Sequence, residues 1–403
     1  MNSPFILGLL LASLIILTPF FETAADWSQW RGPKRTGHST NTLPPANITF
    51  VEVWKTNVGT GFSSIVVADG HVITMGNADD VDTVVCLDER TGDVLWKHSY
   101  PEPLDPNLFE GGPTATPTIA DDRVYAISRR GYVACLSADS GEVVWKRQIV
   151  EDHKVNVPSW GFSGSPLIFE DLVVLNAGAH GIALDKSTGE TIWQSGNEED
   201  AGYTSPIVVN IDETPLVLLL TGRSLNAVHP RTGEVAWNFV WVTRYGINAA
   251  DPIPVAPGNV IVSSGYGKGT ALVQYSADSA EQEWRVRELR NQMSPGVLLN
   301  GRLYAVDGDN GPDTKLVCLD PATGEATWTE TGFGSASLMA VGEELLLLSD
   351  KGELAVAVPG EEGLAVRARH SILTGKCWTP FAYANNSVFA RNASGDLVKV
   401  TLK

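Results

Sequence analysis

Positive charge is what this chain has least of. Its 403 residues carry 29 Lys and Arg against 47 Asp and Glu, a formal net charge of −18. So acidic a protein repels nucleic acid and anionic lipid, and neither is expected as a partner. Cysteine is scarce, with four residues, and none precedes Cys86, so a lipid-modified N-terminal cysteine is excluded. Catalytic signatures are missing as well. No Gly-x-Ser-x-Gly, His-Glu-x-x-His, phosphate-binding loop or Cys-x-x-Cys occurs, and the seven His stand singly, so spacing assembles no nucleophile triad. Long apolar runs are absent too. The best, Phe5 to Leu17, ends near Pro19 and is short for a bilayer span. Small residues follow at Thr23-Ala24-Ala25, though the stretch before the run lacks Lys and Arg. The expectation is a cleaved signal peptide over 1–25 and a periplasmic or extracellular protein without stable membrane insertion; the alternative is a retained membrane anchor, with the apolar stretch lengthened through Phe21.

What the chain does have is one repeated phrase. Leu87 to Trp96 (LDERTGDVLW) recurs at Leu136–Trp145, Leu184–Trp193, Val228–Trp237 and Leu319–Trp328, with a weaker copy ending at Trp284. A degenerate copy puts Arg367 in the tryptophan place, and Trp54 has the strand without the turn. Successive positions 54, 96, 145, 193, 237, 284, 328 and 367 lie 42, 49, 48, 44, 47, 44 and 39 residues apart. A period of that length marks a repeat architecture. Within each period an Asp and a Thr/Ser-Gly make a tight turn between two strands, and two more strand-like runs precede it. Four short strands per period make a propeller blade.

Three strand runs follow Arg367, and the missing fourth is the orphan at 48–55 that holds Trp54. The fold expected is therefore all-β: an eight-bladed propeller over 47–403, closed when the N-terminal strand joins the last blade. Trp54, Trp96, Trp145, Trp193, Trp237, Trp284 and Trp328 then serve as docking residues between blades. Ahead of the ring, a Trp-rich lead-in over 26–46 (DWSQWRGP…) is expected to pack its two tryptophans on the body. Cys86, Cys135 and Cys318 hold one repeat position in different blades and cannot face one another, so free buried thiols are expected.

The Thr-Gly turns share one end of the ring, which leaves the variable loops at the other end as the place for a site. Between second and third strands these carry Arg129, Arg130, His180, Arg223, Tyr266, Lys268 and Lys351. Between blades they carry Phe62, Phe109, Trp160, Phe162, Tyr203, Arg244, Tyr245, Arg290, Phe333, Lys376 and Trp378. The ligand-binding set expected is Arg130, Trp160, His180, Arg223, Arg244, Tyr245, Lys268, Arg290, Lys376 and Trp378: aromatics and cations converging on the axis to hold a planar or anionic ligand. One string, Asp307-Gly308-Asp309-Asn310-Gly311-Pro312-Asp313, is metal-like, with Asp307, Asp309 and Asp313 as oxygen donors.

The Asp-x-x-Thr-Gly-Glu-x-x-Trp repeat, the lead-in from Asp26-Trp27 to Gly37, and the blade openings Thr116-Pro117, Ser165-Pro166, Ser205-Pro206 and Ser294-Pro295 resemble the pyrroloquinoline-quinone-like propeller repeat family. The resemblance runs from about Asp26 to Lys403, and Trp27-x-x-Trp30-Arg31-Gly32-Pro33 is similar to exported planctomycete-type propellers. It implies two kinds of function. One is a cofactor-free scaffold, as in the lipoprotein that helps assemble outer-membrane barrels. The other is a dehydrogenase using the quinone and Ca²⁺ at the propeller mouth. No adjacent cysteine pair is present, and no motif carries over the dehydrogenases' catalytic Asp or calcium-binding Glu. The expectation is a monomeric, non-catalytic binding propeller for a cell-envelope protein or small polar ligand. The alternative is a quinoprotein-type oxidoreductase holding pyrroloquinoline quinone and calcium. A third class, a carbohydrate- or lyase-type propeller enzyme, would need paired carboxylates facing one channel.

Overall fold

The computed structural model describes residues 26–45, 47–105, 109–309, 311 and 313–403. The proposed signal peptide lies outside them. The described chain forms eight sheets, each built on four antiparallel strands; seven take these four consecutively from the chain, and one of the seven gains a fifth, parallel strand at its inner edge. In blade 1 the four are Val66–Ala68, His71–Ala78, Val81–Asp88 and Val94–Pro101. The first and shortest strand lies innermost. Among the described residues the one α-helix is Ile149–His153. Blade 8 takes its outer strand from the other end of the chain: Phe50–Asn57 pairs antiparallel with Asp396–Leu402. Among the described residues no helix is long and apolar enough to cross a membrane.

Every blade has a register shift between its third and fourth strands, one residue before the tryptophan where there is one. Such a bulge bends the strand and re-aims the next side chain. It turns each indole towards the turn of the following blade. Trp54 Nε1 donates to the Glu89 carbonyl, Trp96 to Ala138, Trp145 to Lys186, Trp193 to Pro230 and Trp284 to Pro321. Each acceptor stands three residues before a turn glycine. At Gly92, with φ of +75°, a Cβ would lie 2.7 Å from the Trp54 indole; Gly141, Gly189, Gly233 and Gly324 meet their indoles the same way. The glycine is thus required twice, by its backbone angle and by the ring lying on it. Asp88 completes the turn by accepting the Arg90 and Thr91 N–H groups, which hold its carboxyl below the usual range.

Register corrects one reading. In blade 7 Val366 faces Ala357 and Ala368 faces Val356, so Arg367 is the bulged residue and Ala368 holds the tryptophan place. The hairpin from Gly360 to Gly363 has the register of blade 5, where Tyr275 pairs with Ala280 and Trp284 follows the bulge, so Ala368 is the counterpart of Trp284. No indole is needed there. The next blade's third and fourth strands come from opposite chain ends, so no Thr-Gly turn exists to receive one. Arg367 instead pairs with Glu344 and donates to the Pro44 carbonyl at 2.9 Å.

Sealing between the last and first blades is completed by Arg391, fully buried without a carboxylate partner. It donates to the carbonyls of Ser63, Met75 and Gly59, and burial pulls it down to about 9. All four cysteines are buried and free, and burial pushes the Cys86 and Cys377 thiols up to about 12, so neither is a nucleophile at neutral pH.

The lead-in does more than pack on the body. It runs through the centre of the ring and touches the innermost part of every blade. Trp27 bridges Val67 of blade 1, and the Ser28 carbonyl accepts from Ile119 of blade 2. Arg35 reaches the carbonyls of Pro166 and Pro206 in blades 3 and 4, and Trp30 donates to Asp251 of blade 5. Arg31 bonds the Gly296 carbonyl of blade 6, and His38–Ser39 pairs in parallel with Ser337–Val341 of blade 7. Asn41 reaches the Tyr383 carbonyl of blade 8. The axis is plugged.

Candidate functional site

Above the plug the variable face opens into a funnel of about 400 Å³. Its wall is made where the inter-blade loops dip to the axis before each innermost strand. A run of hydrogen bonds from blade 1 to blade 5 fixes those loops. The Ser64 N–H donates to Thr116 Oγ1, Thr116 to Ser165 Oγ, Ser165 to Ser205 Oγ and Ser205 to Asp251 Oδ1, at 2.8–3.1 Å. The Ser/Thr/Asp-Pro openings are therefore blade-to-blade links. Proline supplies a fixed φ and no donor, and the residue before it supplies the acceptor.

Trp30 forms the floor. Its indole N–H is taken by Asp251, whose carboxyl burial pushes up while Arg31 and Arg35 pull it back down. Both guanidiniums are themselves lowered by burial to about 10, so they remain charged at neutral pH. The floor is rigid and blind.

The wall has two unlike sides. On the side of blades 8, 1 and 2, aromatic rings touch in sequence. Phe62 lies 6.4 Å from Trp378, Trp378 stands edge-on to Phe109 at 5.1 Å, and Phe109 stacks on Trp160 at 5.3 Å. Opposite, on the side of blades 5 and 6, are Tyr266, Gln292 and Asp309. Asp309 Oδ1 accepts the Tyr266 N–H at 2.7 Å. Tyr203 lies between the two sides. Burial pushes its phenol and that of Tyr266 up, so both stay O–H donors. Arg129 also lines the funnel, 3.5 Å from Asp105.

Of the ten residues expected to bind ligand, Trp160 and Trp378 line the funnel and the cations do not. Lys376 sits on the rim over the Phe109 and Trp378 rings, 2.7 Å from Glu110. Arg130 is exposed and paired with Glu102. Arg244 lies over Tyr245, which stands edge-on to Tyr266. Lys268 covers Trp241. Arg223 is exposed, and His180 is half-buried outside the funnel, its ring lowered by burial. Arg290 holds Asp307 with two bonds at 3.0 and 2.9 Å. The mouth is aromatic rather than basic, because Arg130, Arg244, Lys268, Arg290 and Lys376 each find an acid or a ring away from the axis.

The metal-like string divides in the same way. Asp307 is closed by Arg290, Asp309 faces the funnel and Asp313 is exposed. Among the described residues no three His, Cys, Asp or Glu side chains gather to hold a metal ion. Sequence reading missed Trp30, Gln292 and Met293 as lining residues. Trp30 carried a signal in its tandem with Trp27; the other two carried none.

A family model described as outer membrane protein assembly factor BamB matches residues 51–112, 82–330 and 222–402. Among solved structures, BamB from Moraxella catarrhalis superposes with a TM-score of 0.62 at 16% identity, covering 88% of this chain and 98% of that one. The quinohemoprotein alcohol dehydrogenase of Comamonas testosteroni superposes at 0.68 with 14% identity, covering 93% and 80%. At such identities these likenesses show the fold. No curated protein is similar in sequence.

Proposed function

This chain belongs to the family of the outer membrane protein assembly factor BamB, and from that premise we propose that it is an exported binding module, not a catalyst, whose ligand sits in the axial funnel. The observation that carries this reading is the blind, aromatic-walled funnel itself, built by nearly all the inter-blade loops over a floor supplied by the lead-in. A concave, largely apolar pocket with a few fixed polar groups is the usual form of a small-molecule site. Exposed rings at the rim, Phe109, Tyr245 and Tyr266, extend it towards a cell-envelope protein as the larger occupant.

The rival reading requires pyrroloquinoline quinone, a planar polyanion, together with calcium. Holding that pair takes free cations around the quinone carboxylates and several protein oxygens around the metal. The funnel offers Arg129, already beside Asp105, and one carboxylate, Asp309. That donor set does not fit the pair. Nor does it supply the two facing carboxylates of a glycosidase-type site.

Thermal unfolding tests the proposal. The probes are pyrroloquinoline quinone with Ca²⁺, and indole as a neutral ring. A ligand at a hundredfold excess over its Kd stabilises the fold by about 2.7 kcal/mol. We expect a shift with indole that Trp378→Ala removes, and none with quinone and calcium. A quinone shift abolished by chelator would replace the binding reading with the oxidoreductase one.

A further inference from the structure

The two-sided wall says more about the ligand than its presence does. Charge is nearly balanced inside: Asp309 faces Arg129 across the funnel, and Arg129 already lies beside Asp105. An anion finds no free cation there, and a cation finds a single carboxylate. A small ring such as indole meets the aromatic side alone, but an apolar ligand large enough to fill the funnel would strip water from Gln292, Asp309 and the Tyr266 hydroxyl without replacing their hydrogen bonds, which is unfavourable. The polar side is also a made feature. Gly265 leaves the room it occupies: a Cβ there would lie 1.9 Å from Gln292 Oε1 and 2.5 Å from Asp309 Oδ1. The carboxamide and the carboxylate therefore stand together over a bare backbone, beside the Tyr266 phenol, facing the Trp378–Phe109–Trp160 rings across the mouth.

Resting on the funnel reading above, we infer that the ligand is a neutral saccharide. One face of a pyranose carries axial C–H groups that lie well on an aromatic ring. Its edge carries hydroxyls, each donor and acceptor at once, which suit a carboxylate, an amide and a phenol set side by side. The cavity of about 400 Å³ falls within the roughly 300–1,000 Å³ usual for small-molecule sites. The floor at Trp30 is closed, so the sugar enters from the variable face, and a longer glycan leaves by the same way past Phe109 and Tyr245. A terminal unit is bound, not an internal one threaded through the ring.

The experiment is calorimetry and saturation-transfer NMR on the protein with glucose, galactose, mannose, xylose, N-acetylglucosamine and cellobiose, and with glucuronate and indole as comparators. At least one neutral sugar binds, and glucuronate binds more weakly than glucose. Trp378→Ala and Gly265→Ala each weaken the best sugar by about tenfold or more, while Gly265→Ala keeps the melting temperature of the free protein because only side-chain ends must move. Indole binding with no sugar binding overturns the saccharide class and leaves the funnel reading standing. No binding of any probe overturns both. Sugar binding untouched by both variants places the sugar elsewhere and overturns the inference.

Discussion

Asp82 is fully buried, with one carboxylate oxygen on Asn77 at 2.7 Å and the other without a partner. Burial pushes its carboxyl from 3.8 up to about 7, with Glu102 adding to the rise and Asn77 and Arg129 opposing it. Between those values the folded protein holds a proton that the unfolded chain has released. The group therefore favours the fold at acid pH, and that contribution is lost as pH rises from about 4 to about 7. Asp82→Asn is expected to leave stability near pH 4 unchanged and to raise it near pH 8 by on the order of 2–4 kcal/mol. Melting curves of the two proteins that run parallel across this range would sink the account. Gly189 offers a second test at this scale. Gly189→Ala puts a methyl group into the Trp145 indole at positive φ and is expected to cost roughly 2–4 kcal/mol, read by denaturant unfolding, without selective loss of ligand binding. The glycine and tryptophan roles were legible in the sequence because each repeats with a fixed spacing. The Arg367 position was misread by one residue because blade 7 has no tryptophan on its fourth strand to mark the place after the bulge.

The lead-in is the element whose role was least legible. Trp27-x-x-Trp30-Arg31 suggested packing, and the strand that follows it was placed correctly, yet nothing pointed to the axis. The reason is physical. Apart from the Asp251 carboxylate on Trp30, its main partners are backbone carbonyls such as those of Pro166, Pro206, Gly296 and Leu298, which any residue would supply, so little complementary pattern appears elsewhere in the chain. Arg35→Ala leaves the Pro166 and Pro206 carbonyls buried without that donor, at about 1–3 kcal/mol for such a group. The expected result is a lowered melting temperature together with faster proteolysis within 26–45. Loss of stability with unchanged cleavage would mean that the lead-in is held by its tryptophans alone.

For the molecule as a whole, strand count and period were enough to read the ring, since every blade repeats the same turn chemistry and apolar alternation. They were not enough to read the mouth. Trp160 and Trp378 were found because aromatics in variable loops are conspicuous. The cations were misplaced because Arg and Lys reach far, and spacing does not say whether Glu110 or the axis lies nearer to Lys376. Gln292 and Asp309 meet only through the bare backbone at Gly265, a contact between residues 27 and 44 positions away from it. A site assembled from a few residues of each of many loops leaves no single local motif.

The pairing of Phe50–Asn57 with Asp396–Leu402 has a consequence in time. Most blades are local hairpins that form as soon as their own residues are available. The seam joins segments far apart in sequence and so has very high contact order, and it is expected to close later and more slowly than the local hairpins. Until then Trp54 and one strand edge stay unpaired, and the lead-in just ahead of them has no completed ring to enter. A chain ending at Gly395 is expected to give no cooperative unfolding transition and to aggregate, rather than settle as a smaller ring. Ring closure and the making of the funnel floor are thus expected as one late event, and the proposed ligand binding is expected only once Asp396–Leu402 has joined Phe50–Asn57.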